Sequence, residues 1–222
     1  MLNQLWRYAP VLRMLRDEYG SILEVGSGVD GISQFLRRPV IGLEIRFYAP
    51  PGSWLWPVCG TATRLPFADG SVDVVLVMDT LEHVPPSLRA RCIEEATRVA
   101  RRRVIIGGPM GARARRSDER LAAYYRERSL PVPDWLQEHL VERAPDVSDV
   151  VGALRLSGWT VRARGNENAP IHLGIMRAET RKVWFKVFGR LRRHAPGAVT
   201  RVARALRLPP YYSYLIEAVR EP

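Results

Sequence analysis

The stretch EVGSGVDGIS (24–33) sets Gly26, Gly28 and Gly31 in G-x-G-x-x-G spacing between an apolar run and a helical one. Glycines there allow backbone torsions and a close ligand approach that a Cβ would obstruct. A helix that opens just beyond them leaves N–H groups free to meet polar ligand atoms. Glu44 ends the next apolar run, 18 residues after Gly26. Its two carboxylate oxygens suit the hydroxyls of a ribose. Taken by themselves these residues fit a dinucleotide-binding site, a pattern of low specificity. Glu24 argues against that reading, because a dinucleotide fold usually has an apolar residue two positions before the first glycine.

The elements that must carry these residues alternate along the chain. Apolar runs at 21–25, 39–45, 72–78, 103–108, 160–164 and 212–219 read as strands. VDVVLVM (72–78) is continuously apolar after Asp73, as a parallel strand covered on both faces should be. ISQFLRR after the glycine turn reads as a short helix. Leu88, Cys92, Ala96 and Val99 recur at helical spacing, and further helices are expected at roughly 117–128, 134–143 and 148–157, the last capped by Gly158. Strand and helix in alternation predict a doubly wound α/β sheet.

Of the net charge of +11, residues 181–222 supply +8, with ten basic and two acidic side chains. Two basic amphipathic helices are expected over 180–208, broken at HAPG (194–197). Trp184, Val187, Phe188 and Leu191 share one face of the first, and Val199, Val202, Ala203 and Leu206 that of the second. No run is long and apolar enough to span a membrane, and the amino terminus lacks the apolar core of a signal peptide. Two cysteines, Cys59 and Cys92, form neither a disulfide framework nor a metal-ligand pattern. A cytoplasmic protein is expected, peripheral to a membrane if the basic helices make that contact.

Further motifs narrow the cofactor. GTATRLPFADGSVDVVLVMDTLEHVP (60–85) contains LPF, an acidic turn, an Asp entering a strand, and Leu-Glu-His after it. RVARRRVIIGGP (98–109) then passes from helix to strand. With the glycine turn, this order resembles the type 11 domain of class I S-adenosylmethionine (SAM)-dependent methyltransferases, over about residues 20–110. The resemblance implies a mostly parallel seven-stranded Rossmann-like sheet and SAM as cofactor. It implies that Glu24, Gly26 and Gly28 surround the amino-acid portion of SAM and that Glu44 binds its ribose. Thr61 and Ala62 match positions that contact the adenine, and Asp79 one that ends a strand facing the sulfonium. The family favours glycine where Asp30 stands and an acidic residue where Thr61 stands, which puts adenine recognition in doubt. One domain over 1–222 is expected, with its core at about 20–165 and 209–222 and a basic helical insertion at about 166–208.

SAM brings an activated methyl group, so the protein chiefly aligns the acceptor. An amine acceptor needs only to be neutral, whereas a hydroxyl gains from a base. His83, His139, His172, Asp79 and Glu82 are the candidates, and His83 lies nearest in sequence to the expected methyl position. No metal is expected, since no His and carboxylate cluster has a recognisable ligand spacing. The less typical stretches would build the acceptor site: Tyr124 in AYY, His139 in WLQEHL, and Asn166, Asn168 and His172 in GNENAPIHL (165–173), which equally reads as a polar loop. PPYY (209–212) looks like an amino-methyltransferase signature, but it precedes the last strand instead of ending the fourth, so Pro209 and Pro210 read as a helix stop. The expected reaction is methyl transfer to a hydroxyl of a small, glycosylated or lipid-linked acceptor. Alternatives are an RNA methyltransferase, a nicotinamide-dependent oxidoreductase and a non-catalytic SAM-binding module. The basic helices would contact an anionic membrane or lid the acceptor site. Nucleic acid is the less favoured partner, because no RNA-binding module motif is present.

Overall fold

A computed structural model describes residues 2–194 and 196–220. The chain begins with α1 (Leu2–Met14), then β1 (Ile22–Val25), a one-turn α2 (Ser33–Leu36), β2 (Val40–Glu44) and β3 (Leu55–Cys59). β4 (Val72–Met78) leads through a 3₁₀ turn (Leu81–His83) into α3 (Pro86–Val99) and β5 (Ala100–Pro109). α4 (Gly111–Glu127), α5 (Asp134–Glu142) and α6 (Val147–Leu156) precede β6 (Thr160–Gly165). α7 (Ala169–Glu179), α8 (Lys182–His194) and α9 (Pro196–Ala205) separate it from β7 (Ser213–Val219).

The strands form one seven-stranded sheet in the order β3-β2-β1-β4-β5-β7-β6. β1 to β5 are parallel, and β7 runs antiparallel to both β5 and β6. This is the Rossmann-like methyltransferase sheet that the sequence implies. The order reverses between β1 and β4, and in such sheets ligands bind outside the carboxyl ends of the strands at that switch point. The glycine turn follows β1 and Asp79 follows β4, so both lie there.

β4 explains the layering. Val75 and Val77 pack on one face with Cys92, Ala96 and Val99 of α3 and with Val150 and Leu154 of α6. Val74, Leu76 and Met78 pack on the other with Tyr8, Val11 and Leu15. A strand apolar on both sides must be covered on both, and α1 with its following turn does so on the second side. Sequence reading treats the amino terminus only as a segment that is no signal peptide, yet Leu5, Tyr8, Val11 and Leu15 are all buried. β3 is likewise unanticipated. It is an edge strand in which Trp56 is exposed, and an edge tolerates Pro57, which cannot donate to a ladder.

Three other expectations change. The helix after the glycine turn is one turn long, ended by Arg37 in the left-handed conformation at φ 53°. GNENAPIHL is no loop throughout, because Asn168 caps α7 by accepting the Ile171 N–H at 3.1 Å. The basic helices form as α8 and α9, and Ala195 in the break between them lies outside the described residues, as do the side chains of Arg193 and Ala203. They dock on α1 through Phe188 and Val199, which pack with Leu5, Leu12 and Phe35. Burial of the whole apolar face, as a lid requires, is not what the fold gives: Trp184 is 45% exposed, and Val183, Phe185, Leu191 and Val202 are exposed too. Among the described residues no helix is long and apolar enough to cross a membrane.

Candidate active site

A cavity of about 810 Å³ opens at the switch point. Gly26, Gly28, Glu44, Thr61, Ala62 and Asp79 line it, as the sequence leads one to expect. His83, Trp135 and Glu138 line it as well, and α1 adds Gln4, Arg7 and Tyr8.

The backbone geometry shows why glycine is needed at the turn. Gly26 has φ +74°, and a Cβ there would lie 2.3 Å from Thr80 Oγ1. Thr80 Oγ1 in turn donates to the Val25 carbonyl at 2.9 Å, tying the ends of β1 and β4 together. At Gly31 (φ +50°) a Cβ would fall 2.1 Å from Glu24 Oε2. The Gly28 N–H donates to Glu44 Oε1 at 2.6 Å, which leaves the other carboxylate oxygen for a ribose hydroxyl. Glu44→Ala is therefore expected to weaken S-adenosylhomocysteine binding by about 1.5–3 kcal/mol, the usual range for a hydrogen bond to a charged group. Titration calorimetry reads this directly, and an unchanged affinity would mean that another group holds the ribose.

Glu24 does not line the cavity. It is fully buried beneath the turn, where Oε1 accepts from the Tyr8 hydroxyl at 2.7 Å and Oε2 from the Ile32 N–H at 2.7 Å. Burial pushes its carboxyl up to about 7, against the two hydrogen bonds that favour the charged form. Glu24 thus fixes the shape of the glycine turn from behind and fastens α1 to it. Asp79, at φ +49°, pairs with Arg7 Nη1 at 2.7 Å. The Arg7 guanidinium is held above its ordinary value: burial opposes its charge, but Asp79, with Glu167 and Tyr212 behind it, outweighs that.

A chain of polar side chains runs inward from the cavity. His83 Nδ1 lies 2.6 Å from Glu138 Oε2, and His83 Nε2 lies 3.4 Å from His139 Nε2. His139 Nδ1 is 3.0 Å from Asp118 Oδ2, and Asp118 Oδ1 accepts from the Tyr212 hydroxyl at 2.9 Å. The Tyr212 ring stacks on His172 at 3.6 Å, and His172 Nδ1 lies 3.6 Å from Glu167. Burial lowers the His83 pKa, as does the neighbouring His139, while Glu138 acts in the opposite sense. Burial and His139 thus favour the neutral imidazole, which keeps a lone pair to use.

Of the residues expected to bind the acceptor, none lines the cavity itself. His139 adjoins it through His83. Tyr124 lies between Arg128 and Arg177, His172 sits under Tyr212, Asn166 is buried, and Asn168 spends its side chain on the α7 cap and the Leu208 carbonyl. Trp135 and Glu138 belong to the WLQEHL stretch but were not singled out in the sequence; they share the helical side of His139. Arg7, Tyr8 and Thr80 have no motif that could have marked them.

Residues 23–106 match the protein family described as Methyltransferase domain. Over that stretch the chain is similar to a methyltransferase domain, and its sheet is the Rossmann-like methyltransferase sheet described above. The protein is an enzyme, and SAM is its cofactor. No curated protein matches the chain. Solved structures share its fold. The YcgJ protein of Bacillus subtilis is 15% identical with a TM-score of 0.56, over 97% of this chain and 99% of that one. Magnesium protoporphyrin IX methyltransferase from Synechocystis PCC 6803, with bound S-adenosylhomocysteine, is 15% identical with a TM-score of 0.57, over 99% and 84%. A Haloferax volcanii protein in complex with the Trm112 methyltransferase activator is 17% identical with a TM-score of 0.58, over 97% and 91%. In the methyltransferase the glycine turn, Glu44 and the Thr61–Ala62 backbone form a concave site large enough for SAM. The residues present fit the cofactor, since Gly28 and the Glu44 carboxylate both line the cavity and a Cβ at Gly28 would project only into open space.

Proposed function

We propose that the methyltransferase transfers the methyl group of SAM to a hydroxyl oxygen of a small, glycosylated or lipid-linked acceptor, which is presented to His83. The observation that carries this reading is the Glu138–His83 pair, 2.6 Å apart in the lining of the cavity that also holds the glycine turn. A carboxylate can only accept, so Nδ1 carries the proton and Nε2 keeps its lone pair. An amine acceptor would gain nothing from such a group, whereas a hydroxyl must lose a proton as its oxygen attacks. Bound SAM supplies the electrophilic methyl carbon. Gly26, Gly28 and Glu44 hold the cofactor, Thr61 and Ala62 border its base, and Trp135 gives the acceptor an apolar wall. Radiolabelled transfer to matched hydroxyl and amine acceptors tests the reading. Label in methyl ethers is the expected outcome, and label confined to methylamines would overturn it.

The exposed apolar residues of α8 and α9 support a peripheral contact with an anionic lipid surface, with Trp184 and Leu191 inserted and arginines around them. Each cation near such a surface contributes about 1 kcal/mol, screened by salt. Co-sedimentation with anionic vesicles that weakens as salt rises is expected. Equal sedimentation with neutral vesicles would leave the charges without a role.

A further inference from the structure

We propose that Glu82, His83 and His139 hold a divalent transition-metal cation, of the zinc type, with an open position facing the acceptor end of the SAM cavity. One ligand atom from each of the three lies within 4.8 Å of the others. Tetrahedral bonds of about 2.1 Å set ligand atoms about 3.4 Å apart, so the two imidazole nitrogens already stand at ligand spacing and the Glu82 oxygen must close in by up to about 1.4 Å.

The two imidazoles make the case. Each has its Nδ1 on a carboxylate, His83 on Glu138 at 2.6 Å and His139 on Asp118 at 3.0 Å. Carboxylates accept, so both Nδ1 atoms carry hydrogen and both Nε2 atoms carry lone pairs. Those lone pairs face each other across 3.4 Å. Two acceptors at that distance repel unless something positive, a proton or a metal ion, sits between them. An ion bonded to both at about 2.1 Å would subtend an angle of about 108°, which is the tetrahedral value. Carboxylate–histidine–metal triads are also the usual way in which a second layer of residues fixes a ligand's tautomer.

Glu82 supplies an independent observation. Its side chain is 1% exposed, and Oε1 has no hydrogen-bond partner. A buried carboxylate without a partner is costly. Arg7, the cation across the cavity wall, is already engaged by Asp79. Gly108 makes room for the carboxylate, because a Cβ there would approach its oxygens to 3.1 and 3.3 Å. The ligand set of two imidazoles and one carboxylate suits zinc and its neighbours better than magnesium, which prefers oxygen donors and octahedral geometry. His83 lines the cavity, so a fourth position is accessible from it, as in metal sites that bind substrate.

The inference rests on the reading that the acceptor atom is a hydroxyl oxygen, and it changes the part His83 plays there from taking the proton on Nε2 to holding the ion with it. A hydroxyl on the ion becomes more acidic and loses its proton to solvent. The oxygen then forms a bond to the methyl carbon as the carbon–sulfur bond breaks with its electron pair remaining on sulfur. The products are a methyl ether and S-adenosylhomocysteine.

The test uses the full chain stripped by a chelator, dialysed against Zn²⁺ or Mg²⁺ alone, with bound metal counted by mass spectrometry. Close to one equivalent of zinc and no magnesium is expected, together with four-coordinate d–d bands on Co²⁺ substitution. His139→Ala and Glu82→Gln should each weaken zinc binding about 100-fold or more, and Asp118→Asn, which acts by positioning His139, about 10–100-fold. If the buried variants fail to fold, His83→Ala decides: its side chain is 31% exposed, and the rise in melting temperature that zinc gives the native chain should vanish in it. Failure of the native chain to bind zinc, magnesium binding in its place, or unchanged zinc binding in His83→Ala would each overturn the site. Label confined to methylamines with zinc binding intact would instead overturn the hydroxyl reading and leave the metal site standing.

Discussion

Replacing His83 by alanine is expected to lower methyl transfer by about 10²–10⁴, equivalent to about 2.7–5.5 kcal/mol of lost transition-state stabilisation, while SAM affinity stays nearly unchanged. The separation follows from position. His83 lines the cavity, but its side chain touches Glu138 and His139 and makes no hydrogen bond to Glu44 or the glycine turn. Direct removal of the acceptor proton and ligation of an ion both depend on the same Nε2 lone pair, so both are lost together. Stability should change little, since the side chain is partly exposed and its neighbours can rehydrate. Turnover should therefore fall in kcat with the folded fraction intact. A variant within severalfold of the native enzyme would return His83 to a structural role.

Arg7→Ala should lower stability by about 2–4 kcal/mol, the lower part of the range for breaking a buried ion pair from one side. The pair is 2.7 Å long, with side chains only 23% and 18% exposed, so solvent can offset only part of the loss. Asp79 would be left with a charge in the cavity wall, and α1 would lose one polar attachment while keeping Tyr8 to Glu24 and the Arg103 bond to the Met14 carbonyl. For a chain of this length the melting temperature should drop by about 5–12 °C. Adding Asp79→Asn should recover part of it, because the stranded charge is then gone. A shift below about 1 °C in Arg7→Ala would show that α1 is held by its apolar face alone.

The Trm112 partner seen with the Haloferax volcanii protein belongs to that protein. On this chain, the exposed apolar residues of α8 and α9 stand among cations that set that region apart from the nearly neutral remainder.

Much of the site was legible because its residues are neighbours in sequence. A tight turn must have glycines at fixed spacing, whatever packs around it, so Gly26 and Gly28 could be read directly. Glu44 could be placed because a parallel strand delivers its last residue to the same sheet edge as the preceding turn. The continuous apolar run of β4 demanded cover on both faces and hence a doubly wound sheet. What could not be read is what covers the second face. α1 reaches it only in three dimensions, and with it come Arg7 and Tyr8 into the cavity wall. Glu24 was assigned to the cofactor from its place in the motif, but Tyr8 turned it into a buried anchor. His83 and His139 are 56 residues apart. No ligand spacing connects them, so the sequence suggested no metal, and only the packing of α5 over the turn after β4 brings their nitrogens to 3.4 Å. Asn168 and His172 looked like acceptor contacts for a similar reason: composition shows that hydrogen-bonding groups are present, but not that a helix start and a stacked tyrosine have already taken them. Local spacing determines the turns and strand ends; which side chains remain free to do chemistry is decided by the partners that folding brings in from afar.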